Sequence, residues 1–266
     1  MMEDIKKLRS LTGCGIGDCK VALDESQGNM EKAVEILRKK GIAKAAKRED
    51  REASQGIIKL ALSADHKIGY LVEVNAETDF VVRNQKFQDF ADQVLAIVQE
   101  QKPANREALL ALPMTDGTVK TNLDVLSGTI GEKLDIKNVA VVTSQGTVAS
   151  YAHAGGTIGV LVALDQPDQD ALAYDIAMQV AASNPRYIKP EEVVTTELDK
   201  EKEVYREQLR NEGKPAEMIE KILTGKVNKY YEEVCLIKQE YIKDDKKKVA
   251  DILGPVQVET FVRFSL

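Results

Sequence analysis

Apolar residues return every three or four positions through the first forty residues, the spacing of one helix face. Ile5, Leu8 and Leu11 line a predicted helix over 3–11, Gly13 and Gly15 break it, and Val21, Ala22 and Leu23 line a second over 17–26. After Gly28, Asn29 is placed to cap a third helix, with Glu31 in its first turn, a stripe of Ala33, Val34, Ile36 and Leu37, and Gly41 as its stop. Residues 1–42 read as a small three-helix module, and 43–55, rich in alanine and charge, as a helical or frayed linker. So small a module has few core residues to spare. Ile16, in GCGIGDC, therefore either completes that core or meets a partner.

Beyond the linker the pattern changes to alternation. GIIKLALSADHKIGYLVEV, residues 56–74, predicts a β-hairpin turning at Asp65 and His66. A shift of 90 residues lays GTVASYAHAGGTIGVLVAL, 146–164, on the same pattern, with Ile158, Gly159, Leu161 and Val162 matching Ile68, Gly69, Leu71 and Val72. A helix follows each hairpin, and there the shift drops to 86, since Asp175, Ala177, Gln179, Val180 and Ala182 match Asp89, Ala91, Gln93, Val94 and Ala96. Two related hairpin-and-helix subdomains account for this repeat. The first copy carries four additional residues between strand and helix, and they fall in NAETDFVVRN, 75–84. Phe80, Val81 and Val82 give that connection an apolar tip. If the second copy closes without it, the fold does not require it, and loops longer than structure needs tend to carry function. The competing expectation is that Phe80 caps the core of the first subdomain.

Residues 190–227 are charged, amphipathic and divided by Glu212-Gly213-Lys214-Pro215, which predicts two antiparallel helices in a protruding hairpin. Leu198, Val204, Tyr205 and Leu209 are set to meet Met218, Ile219, Ile222 and Leu223, and apolar surface left over is suited to a homodimer. Residues 230–241, then a charged turn and short helix, lead to a final alternating strand in VQVETFVRFSL. The whole is α+β, with 56–139 as one core subdomain and 140–189 plus 228–266 as the other.

Composition narrows the partners. At 266 residues the chain is long enough for more than one module, and its net charge of −6 disfavours direct nucleic-acid binding, which draws on a basic surface. The cations of RKKGIAKAAKRED, 38–50, suit a helix C-terminus and a solvated linker, with an RNA contact as the less favoured reading. No apolar run approaches the ~20 residues of a membrane span, so no membrane association is expected. Three cysteines without metal-site spacing point to a reducing, cytoplasmic compartment. GCGIGDC has neither phosphate-loop spacing nor a preceding strand. His66 and His153 lack the neighbours of a metal or nucleophile site, and paired carboxylates such as Asp244-Asp245 sit at helix ends. The sequence therefore carries no catalytic residue, cofactor site or metal site, and reads as a non-enzymatic protein-binding chain.

TGCGIGDCKVALDESQGNMEKAVEILRKKGIAKAAK, VEVNAETDFVVRNQKFQDFAD, YAHAGGTIGVLVAL, MQVAASNPRYI, GKPAEMIEKILTGKVNKYYEEVCLIKQEYIKDDKKKV and FVRF, in this order, resemble the elongation factor Ts family over essentially the whole chain. The resemblance implies a ubiquitin-associated-like N-terminal module, two related core subdomains, a helical-hairpin dimerisation module over 190–227, and guanine-nucleotide exchange on elongation factor Tu. It assigns partner contacts to Asp79 and Phe80 with Thr78 and Val81 beside them, to Ile16, Lys20 and Arg9 in the module, to Ile130 and Gly131, and to His153. A scaffold or chaperone-like adaptor is the alternative reading. Two departures stand out: Gly17 occupies a position where the family often has a second bulky apolar residue, and the chain ends at Leu266, where some members continue into a helix.

Overall fold

Helices form where the apolar stripe recurs, in a computed structural model that describes residues 2–115 and 117–266. They are α1 (Met2–Thr12), α2 (Ile16–Glu25) and α3 (Met30–Ala46). Asn29 caps α3 by accepting the Lys32 N–H at 3.0 Å. Ile5, Leu8, Cys19, Ala22, Leu23, Ala33 and Leu37 form the buried centre of this unit. Ile16 is not among them: it opens α2 and remains 55% exposed.

The alternating segments pair as read. β1 (Gln55–Leu62) and β2 (Ile68–Ala76) form an antiparallel hairpin, Gln55 opposite Ala76 and Leu62 opposite Gly69. A one-turn helix, α4 (Asp79–Val82), precedes α5 (Gln85–Gln101), which covers one face of the sheet. Then come α6 (Arg106–Ala111), a two-residue ladder of β3 (Pro113–Met114) and β4 (Gly117–Thr118), and α7 (Val119–Ile130). The third strand of the sheet, β5 (Leu134–Thr143), pairs with β2 and was not expected from the alternation of the sequence. The second sheet repeats the plan: β6 (Thr147–His153) and β7 (Ile158–Leu164) form the hairpin and α8 (Asp170–Ser183) covers it. Its third strand comes from the far end of the chain.

Between them run α9 (Thr195–Asn211) and α10 (Ala216–Val234), cross-linked by Arg206 and Glu220 at 3.0 Å, with Leu209, Ile219 and Leu223 buried. The second helix continues to Val234, beyond the expected end at 227, because Tyr230 and Val234 extend its apolar stripe into a cluster with Val193 and Cys235. A small hairpin, β8 (Glu240–Tyr241) and β9 (Asp244–Lys248), and α11 (Val249–Leu253) then lead to β10 (Val258–Ser265), antiparallel to β7.

The two sheets pack face to face through Ile58, Leu71, Val142, Val148, Leu161 and Ala163. The contacts obey the sequence repeat. A Cβ on Gly69 would fall 2.8 Å from a Leu161 methyl, and one on Gly159 would fall 2.9 Å from a Leu71 methyl, so each sheet offers a glycine to the other's leucine. Backbone bonds reciprocate likewise: the Ile58 N–H donates to the Gly156 carbonyl at 2.8 Å, and the Val148 N–H donates to the His66 carbonyl at 2.7 Å. Each hairpin tip thus binds the first strand of its sibling, as in an isologous dimer.

Gly41 does not end α3 as the sequence suggests. Its φ is not left-handed, and the helix runs five residues further to Ala46. The glycine serves close approach instead, because a Cβ on Gly128 of α7 would lie 2.3 Å from the Gly41 Cα. Backbone meets backbone, and no side chain fits between. Gly128→Ala is therefore expected to destabilise the protein by about 1–3 kcal/mol in urea denaturation through overpacking. Gly225→Ala in α10, where a Cβ meets nothing within 4 Å, should be neutral or stabilising by up to ~1 kcal/mol. Equal effects of the two changes would refute the glycine seam.

Candidate functional site

The site begins where β2 stops. Thr78, extended at φ −127°, caps α4 by accepting the Val81 N–H on its hydroxyl at 3.4 Å. Successive helical residues point about 100° apart. Val81 turns into the core at 8% exposure, whereas Phe80 points out at 80%, the most exposed large apolar side chain among the described residues. The expectation that Phe80 caps its own core is thus set aside. Val81 is placed to anchor the turn from inside. Asp79 pairs with Arg83 at 2.9 Å on the surface, and Asn84 caps α5 through the Lys86 N–H.

Two further loops are fastened to this turn. Gly131 ends α7 in the left-handed region, φ 94°, which frees the chain to double back, and Glu132 then receives Thr78 through the N–H at 3.0 Å and the hydroxyl at 2.7 Å. Ile130 is half-buried and Gly131 exposed at the same corner. Cys14 Sγ, one residue ahead of the Gly15 cap of α2, lies 3.6 Å from the Thr129 hydroxyl, and the Lys86 side chain lies against the Gly13 backbone. These contacts join the Ile16 loop, the 130–131 corner and the aromatic turn. Lys20 and Arg9 are exposed on α2 and α1. His153 stands exposed at the end of β6, its Nδ1 3.1 Å from the Tyr151 hydroxyl, and the hairpin tip beside it lies across Ile57 and Ile58 of β1. A Cβ on Gly17 would meet nothing within 4 Å.

Glu77 and Glu132 are the members that sequence reasoning missed. Glu77 accepts the Lys133 N–H at 2.6 Å and meets Arg51 at 3.2 Å. The Lys133 amide, ahead of Arg51, holds its carboxyl below the ordinary 4.5. The one faint signal was the position of each glutamate just beyond a strand or helix end. Among the described residues no group of three or more His, Cys, Asp or Glu is placed to hold a metal, and no helix is long and apolar enough to cross a membrane. All three cysteines are free and buried, and burial pushes the Cys235 thiol up to about 11. That leaves it protonated and unreactive at neutral pH. What the arrangement offers is a hydrogen-bonded apolar projection flanked by charge, a shape for contact with another macromolecule.

A family model described as Elongation factor TS matches residues 77–266. The chain is 43% identical over 280 residues to Elongation factor Ts of Chlorobaculum tepidum, covering 99% of this chain and 97% of that one. It is 46% identical over 257 residues to Elongation factor Ts of Trichlorobacter lovleyi, covering 92% of this chain and 83% of that one.

Because Glu77 is held below 4.5, its contribution to the corner is complete above that value and is lost as pH falls through the folded-state pKa. The amide shift of Lys133, followed by NMR, should titrate with a midpoint below 4.5 and move upward in Arg51→Gln. A midpoint at or above 4.5 in the parent would contradict the assignment.

Proposed function

This chain belongs to the elongation factor Ts family of translation elongation factors, and from that premise we propose that it promotes GDP release from elongation factor Tu as a guanine-nucleotide exchange factor. The observation that carries the proposal is the outward Phe80 ring, 80% exposed on a turn capped from within its own fold.

A GTPase holds GDP partly through Mg²⁺, whose octahedral shell tolerates little distortion. An aromatic ring driven between the elements that support that shell loosens metal and phosphates together. Phe80 is suited to be the wedge. Burying a phenylalanine contributes roughly 2–3 kcal/mol at ~25 cal/mol per Å², enough to favour a nucleotide-poor state by tens of fold. The free protein loses little by exposing it, because Val81 and Val82 fill the turn's share of the core. Asp79 brings a carboxylate to the magnesium surroundings, where it either steers the turn or competes for the ion. In this reading Ile16, Lys20 and Arg9 grip a helix of the same GTPase domain. Ile130 and Gly131 add a second contact and His153 a third, while Thr78 and Val81 support the turn. Coupling is reciprocal, so bound GDP weakens the grip by the factor by which the grip weakens GDP, and the protein is released unchanged for another cycle. Residues 190–227, with Val204 and Met218 exposed, are assigned to self-association.

Release of a fluorescent GDP from elongation factor Tu tests the wedge. Phe80→Ala is expected to slow release at saturating protein by tens of fold, and undiminished release would discard it. Asp79→Asn should slow release if the charge acts near the ion, and no change would show the carboxylate dispensable. A parent protein that binds without accelerating release would be an adaptor instead.

A further inference from the structure

The corner that ends the first sheet gives one residue a duty beyond packing. Backbone pairing of β2 with β5 stops at Ala76 and Leu134. Past that point side chains continue the ladder crosswise: Glu77 on one chain segment takes the Lys133 N–H at 2.6 Å, and Glu132 on the other takes the Thr78 N–H at 3.0 Å. Two carboxylates thus replace the two carbonyls that the diverging strands no longer supply.

Glu132 does more than its counterpart. It also accepts the Thr78 hydroxyl at 2.7 Å, which leaves that oxygen's lone pairs turned toward the Val81 N–H, the capping bond of α4. Its own main chain is fixed, since the Ser127 hydroxyl donates to the Glu132 carbonyl at 2.6 Å. A helix of four residues lies far below the length at which propensity sustains it, so α4 depends on its cap. Hydrogen bonds to a charged acceptor are about twice as strong as neutral ones. Of the two residues between Thr78, held from outside, and Val81, held in the core, Asp79 pairs with Arg83 at 2.9 Å and Phe80 projects outward at 80% exposure.

We propose that Glu132 is the positioning residue for Phe80: it holds the aromatic turn in its projecting form before the partner arrives, so that little binding energy is lost to ordering the turn. The proposal rests on the exchange reading of Phe80, and it adds a residue of the α7–β5 corner that itself need not touch the partner. In this reading the other contacts make the encounter and the ring enters afterwards, so the cost of ordering the turn falls on the productive step rather than on the encounter.

The test combines a partner-free and a partner-dependent measurement on the full chain. Hydrogen exchange of the Val82 and Arg83 amides, which donate to the Thr78 and Asp79 carbonyls within α4, reports the turn directly. Glu132→Gln keeps the shape but opposes an amide N–H to one of the two Thr78 donors. It is expected to lower protection at both amides about tenfold while the remote helices α9 and α10 keep theirs. Thr78→Val should do the same, and Thr78→Ser, which retains the hydroxyl, should restore the parent pattern.

In GDP release, Glu132→Gln should cut the rate at saturating protein about tenfold and move the half-saturating concentration less than about twofold. In a Phe80→Ala background it should have almost no further effect, because it acts through the ring. Unchanged protection in Glu132→Gln, or effects of the two substitutions that simply multiply, would overturn the proposal. A parent protein that releases no GDP would overturn the exchange reading, while amide protection would still decide whether Glu132 holds the turn.

Discussion

Two glycines, each facing a leucine of the opposite sheet, set the distance at which the halves of this core meet. Gly69 admits Leu161 and Gly159 admits Leu71 and Ile58, and a Cβ at either position would force those facing side chains to shift. Because this spacing is fixed, the tip of each hairpin reaches the first strand of the other, and the amides of Ile58 and Val148 find the carbonyls of Gly156 and His66. Buried strands need such partners for every main-chain group. The rest of the molecule is hung on this double contact: helices α5 and α8 on the outer faces, the N-terminal helices on α7, and the loops at the strand ends.

The scaffold is close to two-fold, and the candidate site lies where that relation fails. After β7 the chain passes to α8 through residues 165–169, whereas after β2 it spends 77–84 on a glutamate, a capped turn and a second cap before α5 begins. The related half folds without such a turn. Phe80 therefore sits on an addition to a frame that is complete in its absence, and selection can act on the ring with little consequence for the core. Val81 is the exception, since it ties the addition to the apolar centre.

Sequence reasoning reached what is written locally. Helical spacing placed α1 and α2, alternation placed both hairpins, and the internal shift exposed the connection that carries Phe80. It failed where a distant neighbour decides. Gly41 has the chemistry of a helix stop, yet Gly128 turns it into a packing surface. The strand β5 is interrupted by the exposed Lys137 and Asn138 and meets β2 across a bulge at Glu73 and Val74, so its apolar residues do not keep a clean period. Glu132 acts on Thr78 from 54 residues away, a separation over which neither periodicity nor capping rules carry information. The candidate residues were legible one by one, and their fastening to one another was not.

Gly17 stands in the first turn of α2, beside the exposed Ile16, with open space where a side chain would begin. A single codon change there could widen the apolar patch without repacking anything beneath it, and it would replace a weak helix former by a better one. The apolar surface at this end of the molecule is thus an evolutionary dial, adjustable by drift at a position that the architecture leaves unconstrained.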